Sequence, residues 1–257
     1  MHLEWYHYIL MLLAGASAGV VNTLAGSGSV FTLSVLIFAG LPVDIANGTN
    51  RIGTSVQSLI ATNTFYRNGR LPFTASLKYT LPTLIGALIG AITVAKTDRD
   101  NLEIIIGIIM IFLLLLTIFK PQQYFKAKTL SGSYPWLERI IFLAIGFYGG
   151  FIQAGIGIFL LVALNTLSSF DMLQANAVKI LTVMLFSLPV LLIFIYNKQV
   201  NWILGGWVAV GQALGSSIAA KFAVRSSNAG TWMKFLLIGM MLITILKVFG
   251  FFELFLS

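Results

Sequence analysis

Two cations and two asparagines are the residues best placed to do chemistry in this chain. Arg51 follows Asn47 by four positions, and Lys179 follows Asn176 by three. At those spacings each pair can share one face of a helix. Both pairs stand inside otherwise membrane-grade sequence, where a charge is costly and marks a functional position. An internal ion pair would be the ordinary explanation. The carboxylates are Glu4, Asp44, Asp98, Asp100, Glu103, Glu138, Asp171 and Glu253, all near segment ends or in loops. Asp44 and Asp171 could serve Arg51 and Lys179 only if those cations lie near the interface, where snorkelling is the other structural alternative. Cations without an internal carboxylate point instead to a bound anion as counter-ion.

Two glycine-rich breaks fit an anion site. The first is Ala25-Gly26-Ser27-Gly28-Ser29 and the second Gln153-Ala154-Gly155-Ile156-Gly157. Each interrupts an apolar run just before another helix begins, and free backbone N–H groups at a helix start bind anions. The candidate substrate ligands are therefore Arg51, Lys179, Asn47, Asn176, Gly26, Ser27, Gly28, Ser29, Gln153, Gly155, Gly157 and Asn22. Thr23 and Thr32 add neutral donors, and Thr54, Ser55 and Gln57 could line a path. Close helix packing is the alternative reading of the glycines. Gly26-Ser27-Gly28 is no nucleotide loop, because the lysine and the strand context are missing. For an enzyme there is little: His2 and His7 are terminal, and no Ser/His/Asp set, paired carboxylates or grouped metal ligands occur. No catalytic residue, metal or cofactor is expected.

The elements that position these residues belong to a membrane. The chain has 257 residues, 58% of them hydrophobic and 9% charged, with mean hydropathy +0.93. A soluble domain carries roughly 25% charge. The net charge of +8 comes from basic residues at the ends of apolar segments, where topology requires them, so no nucleic acid is expected as a partner. The partners expected are a small anion and the lipid bilayer, with room for a homo-oligomer. The N-terminal run lacks a positive leading segment, so it reads as a first helix anchored by Trp5, Tyr6 and Tyr8 rather than a cleaved signal. Zero cysteines exclude thiol chemistry and disulfides.

Apolar patterning predicts helices over about 8–24, 30–39, 45–66, 73–95 and 102–119, then 136–152, 157–167, 172–196, 202–224 and 231–252. The second and seventh are too short to span, so the first two form a full or re-entrant hairpin with its tip at Gly26–Gly28. Asp44 is expected to cap the third helix. That helix is polar enough to require a central position. The pattern repeats at a constant offset: 155 − 26 = 129 relates Gly26 to Gly155, and the same step relates Gly28 to Gly157, Asn47 to Asn176 and Gly86 to Gly215. The expected architecture is all-α and polytopic, with about ten helical elements in two inverted repeats of five. Residues 1–119 form the first repeat, 120–135 a basic cytoplasmic linker, and 136–257 the second repeat. Arg67, Arg70, Lys120, Lys126, Lys128 and Arg139 fall inside if both termini lie outside.

The Ala25–Ser29 tip, the apolar run after it and Gly40-Leu41-Pro42-Val43-Asp44-Ile45-Ala46-Asn47-Gly48-Thr49 resemble the TauE/SafE sulfite exporter family, also called TSUP. The resemblance covers essentially the whole chain through its duplicated plan. It implies a multi-pass transporter of the bacterial inner membrane that moves sulfur-containing anions such as sulfite, sulfonates or thiosulfate. An anion-selective channel, or a carrier of a non-sulfur organic anion, is the alternative. The second copy, Phe170-Asp171-Met172-Leu173-Gln174-Ala175-Asn176, lacks the Gly-Leu-Pro, and Ile156 replaces a small residue in its tip. The two half-sites are therefore expected to be unequal.

Overall fold

The computed structural model describes residues 5–119 and 135–225. Within them the chain is helical: α1 (Trp5–Leu24), α2 (Gly28–Phe38), α3 (Val43–Arg67), α4 (Phe73–Ala95), α5 (Arg99–Phe119), α6 (Pro135–Phe151), α7 (Ile156–Leu167), α8 (Met172–Tyr196) and α9 (Trp202–Arg225). No strand occurs among the described residues. The expected helix over 231–252 and nearly all of the 120–135 linker lie outside them. Pro135, assigned to the linker, instead opens α6, where a missing N–H costs nothing.

Helix starts are the main departures from expectation. Helices α1, α2, α3 and α5 begin two or three residues early, because a first turn whose N–H groups have no intrahelical partner tolerates residues outside the apolar pattern. Asp44 does not cap α3. Pro42 holds the cap position, and Asp44 sits in the first turn, where Arg99 donates to it at 3.0 Å. Asp171, read only as a break, is a true cap: it accepts from Gln174 N at 2.8 Å while Gln174 Oε1 accepts from Asp171 N. Glu138 is also more than a segment end. It is buried in α6 and lies 2.5 Å from Lys78 of α4, a residue the sequence pattern left unremarked.

Helices α4, α8 and α9 are long and apolar enough to cross a membrane. By contrast, α2 and α7 have 11 and 12 residues. At about 1.5 Å per residue they cover little more than half of a bilayer core. Helix α3 is the polar centre, 25 residues long and largely buried, packed against α8 and α9. Its polar side chains need protein partners that lipid cannot supply.

The most extensive packing joins α1 to α9 and α4 to α6, so the two parts of the chain interlock. Small residues make both crossings. A Cβ added at Gly86 would lie 2.0 Å from Leu143 O, and one at Gly146 would lie 2.0 Å from Thr83 O. At the other crossing a Cβ at Gly215 would lie 2.0 Å from Ala16 O. With lipid as solvent, such close backbone approach is the source of helix–helix attraction. Gly86→Ala is expected to push α4 from α6 and lower thermal stability by about 1–3 kcal/mol, the usual cost of overpacking. Gly107→Ala, where nothing lies within 4 Å, should melt as the wild type. Fluorescence-monitored unfolding in detergent checks the pair; equal melting temperatures would refute the packing argument.

Candidate functional site

Each break turns the chain sharply at a residue with positive φ. After α1, both Ala25 N and Gly26 N donate to Val21 O, at 2.7 and 2.9 Å, and Gly26 takes φ +86°. The start of α2 then lies against Ala18 of α1, where a Cβ on Gly28 would come within 2.4 Å of Ala18 O. After α6, Ile152 N donates to Tyr148 O at 2.9 Å, and Gln153 and Gly155 take φ +68° and +70°. A non-glycine residue held at positive φ is strained and persists only where its surroundings enforce it. The two breaks touch: Gly157 N donates to Gly26 O at 3.1 Å. A Cβ added to either glycine would lie 2.3 Å from the Cα of the other.

The buried cations hold the helix ends beside these breaks. Asn47 Nδ2 donates to Phe151 O at 2.8 Å, while Arg51 Nη1 and Nη2 donate to Gly149 O and Gly150 O, each at 2.8 Å. The guanidinium also stands over the Phe194 ring, 5.2 Å from its centroid. On α8, Asn176 Nδ2 donates to Thr23 O at 3.1 Å, and Lys179 Nζ to Asn22 O at 3.0 Å and Thr23 O at 3.3 Å. One asparagine and one cation thus close the carbonyl end of α6, and an equivalent pair closes that of α1. The negative end of a helix dipole favours a cation there. Neither cation has a carboxylate partner among the described residues: Asp44 serves Arg99, and Asp171 caps α8.

A cavity of about 20 Å³ lies where the breaks meet. It is lined by Asn22, Thr23, Gly26, Ser29, Thr54, Gln57, Ser58, Ala61, Gln153, Ile156, Gly157, Lys179, Ile180 and Val183. That is room for about one water molecule. Asn22 Oδ1 accepts from Ser29 N at 3.0 Å and from Ser29 Oγ at 3.3 Å, which leaves Asn22 Nδ2 as a donor without a partner. Both amide atoms of Gln153 and Oε1 of Gln57 are also without partners. Lys179 uses two of its three N–H donors on carbonyls.

A family model described as sulfite exporter TauE/SafE matches residues 11–248. The chain belongs to the TauE/SafE family. Its curated relatives carry the same general description. A probable membrane transporter protein of a Sinorhizobium species is 26% identical over 85% of this chain and 84% of its own length. The probable membrane transporter protein YfcA of Escherichia coli is 28% identical over 82% and 78%. A probable membrane transporter protein of Haemophilus influenzae is 22% identical over 85% and 86%. No solved structure gives a significant match. This TauE/SafE chain is thus a membrane transporter by family, and its helices are apolar enough to agree.

Of the residues anticipated from sequence, Asn22, Gly26, Ser29, Gln153, Gly157 and Lys179 line the cavity of this TauE/SafE protein. Arg51, Asn47, Asn176, Ser27, Gly28 and Gly155 do not: they hold the helix ends or shape the turns around it. The family motif has a similar framing role. A Cβ on Gly48 would meet Gln199 O at 2.0 Å, and Thr49 Oγ1 accepts from Asn201 N at 2.8 Å, so this segment seats the loop between α8 and α9. Ser58, Ala61, Ile180 and Val183 also line the cavity, though sequence reading did not pick them as ligands. Positions 54, 57, 58 and 61 recur at helical spacing on α3, the signal that could have found the first two.

Proposed function

We propose that this protein is a secondary transporter that moves a small sulfur-containing anion by alternating access around the cavity where the two breaks meet. The observation that carries the reading is Lys179, a buried cation without a carboxylate partner among the described residues, facing a cavity lined by the unpartnered donors Asn22 Nδ2 and Gln153 Nε2. Lys179 supplies the charge of the site. Arg51 acts as a positioning residue that holds the α6 end and hence Gln153. The description of the family as sulfite exporters supports sulfur chemistry for the cargo. The equivalent Asn47 and Asn176 clamps, and the exchanged pairings of α1 with α9 and α4 with α6, support an inverted duplication of the chain. Short α2 and α7 fit re-entrant hairpins. The Lys and Arg distribution supports a bacterial inner-membrane protein with both termini outside.

The cavity has room for about one water, and that narrowness favours a carrier over an anion-selective channel, since a channel needs a continuous wet path. Counterflow in proteoliposomes tests this. Unlabelled sulfite on the trans side is expected to accelerate uptake of labelled sulfite several-fold. Anion conductance without trans-stimulation would replace the carrier reading with a channel, and a preference for carboxylates over sulfur oxyanions would refute the cargo class.

A further inference from the structure

The cavity is rich in hydrogen-bond acceptors, which is unexpected for a site that takes only anion oxygens. On α3, Thr54 Oγ1 donates to Asn50 O at 3.2 Å and Ser58 Oγ donates to Thr54 O at 2.7 Å. Each hydroxyl has one hydrogen, so toward the cavity both offer lone pairs alone. Between them Gln57 Oε1 is without a partner, and across the cavity so is Gln153 Oε1. These glutamines are 4% and 1% exposed, and neither has water in bulk to satisfy it. An amide presents one donor and one acceptor whichever way it is turned, so a side-chain flip does not remove the acceptors.

The charge count points the same way. Among the residues lining the cavity the formal charge is one positive, from Lys179, with no carboxylate. Arg51 stands outside the lining, its Nη atoms taken by Gly149 O and Gly150 O. A dianion would leave one buried charge without a counter-charge, and its oxygens would face the acceptor wall. Buried charges and acceptors left without partners are the arrangements proteins exclude most strongly.

We infer that the site selects a singly charged oxyanion carrying its own hydrogen-bond donor, of the hydrogensulfite or hydroxyalkylsulfonate class. Its charged end meets Lys179, Asn22 Nδ2 and Gln153 Nε2, and its O–H meets the Gln57 side of the cavity. The inference rests on the transporter reading above and adds the protonation and donor requirement. Gln57 is the residue that enforces it.

The test uses the purified full chain in detergent, with binding measured by calorimetry at constant ionic strength. The probes are 2-hydroxyethanesulfonate, its near-isostere propane-1-sulfonate that lacks the donor, and sulfate as the dianion. The expected result is at least tenfold tighter binding of 2-hydroxyethanesulfonate than of propane-1-sulfonate, with sulfate the weakest. Gln57→Leu should narrow that tenfold preference to less than threefold. Equal binding of the two sulfonates, or tightest binding of sulfate, would overturn the inference while leaving an anion transporter in place. So would an unchanged preference in a Gln57→Leu protein that melts as the wild type. If that variant fails to fold, the wild-type series alone decides. Failure of all three anions and of hydrogensulfite to bind would overturn both this inference and the reading it rests on.

Discussion

Lys179→Met is expected to weaken anion binding roughly tenfold to a hundredfold while leaving a folded protein. The side chain has nearly the length of lysine, so the packing of α8 against α1 is kept and the charge is lost. Two things follow. The carbonyls of Asn22 and Thr23 lose the Nζ donor, although Asn176 still donates to Thr23 O at 3.1 Å. A buried acceptor left open costs about 1–3 kcal/mol, so the melting temperature should fall by several degrees. The anion meanwhile loses its only cation in the cavity lining. A charge-assisted hydrogen bond is worth about 1.5–3 kcal/mol, which corresponds to roughly tenfold to a hundredfold in affinity. Arg51→Met supplies the contrast. Its guanidinium holds two carbonyls at 2.8 Å outside the cavity lining, so the larger loss there should be in stability. Thermal unfolding with and without sulfite separates the two. A Lys179→Met protein whose melting temperature still rises with sulfite as far as the wild type's would remove Lys179 from the site.

Gly26→Ala should be strongly damaging, because it combines a backbone clash with a positive φ. The new Cβ would lie 2.3 Å from the Cα and 2.6 Å from the carbonyl carbon of Gly157, and both atoms are backbone, so no side chain can swing aside. Gly26 also has φ +86°, where any Cβ adds about 1–2 kcal/mol. Overpacking against an immovable backbone adds about 1–3 kcal/mol or more. Together these approach the whole stability of an ordinary domain, about 5–15 kcal/mol. Gly157→Ala meets the same 2.3 Å contact without the positive φ, so it should be damaging but less so. Gly206→Ala, with nothing within 4 Å, is the control. Yield of monodisperse protein and unfolding temperature are the measurements. Wild-type values for Gly26→Ala would mean that the two breaks do not meet in the membrane.

The course of the helices was legible because bilayer apolarity and its interruptions are local signals. Helices α4 and α8 begin and end at the expected residues, since loop residues 68–72 and 168–171 punctuate them strongly. What sequence could not show was where a polar group would find its partner. Asp44 looks like a helix cap from its neighbours, but its partner Arg99 stands 55 residues away. Arg51 reads as a substrate ligand because every carboxylate in the sequence stands near a segment end or in a loop. The carbonyls of Gly149 and Gly150 that receive it have no signature in a list of residue types. Lys179 and Gln153 were legible as polar residues beside a break, but that they face one cavity depends on the contact of Gly26 with Gly157. Lys78 went unnoticed because its position near the start of α4 reads as an ordinary interfacial cation, although it meets buried Glu138 at 2.5 Å.

The crossed clamps have a consequence for how the chain is made. The carbonyl end of α1 is closed by Lys179, 157 residues later in the sequence, and that of α6 by Asn47, 104 residues earlier. Ribosomes add roughly 5–20 residues per second. For on the order of ten seconds, therefore, a nascent α1 waits in or near the membrane with its last carbonyls and its glycine turn uncovered. Only when α8 emerges can that helix end be sealed, and α6 must enter a bundle where its asparagine and arginine are already present. Synthesis thus leaves one half waiting and the other templated, because each helix end is sealed by residues of the other half.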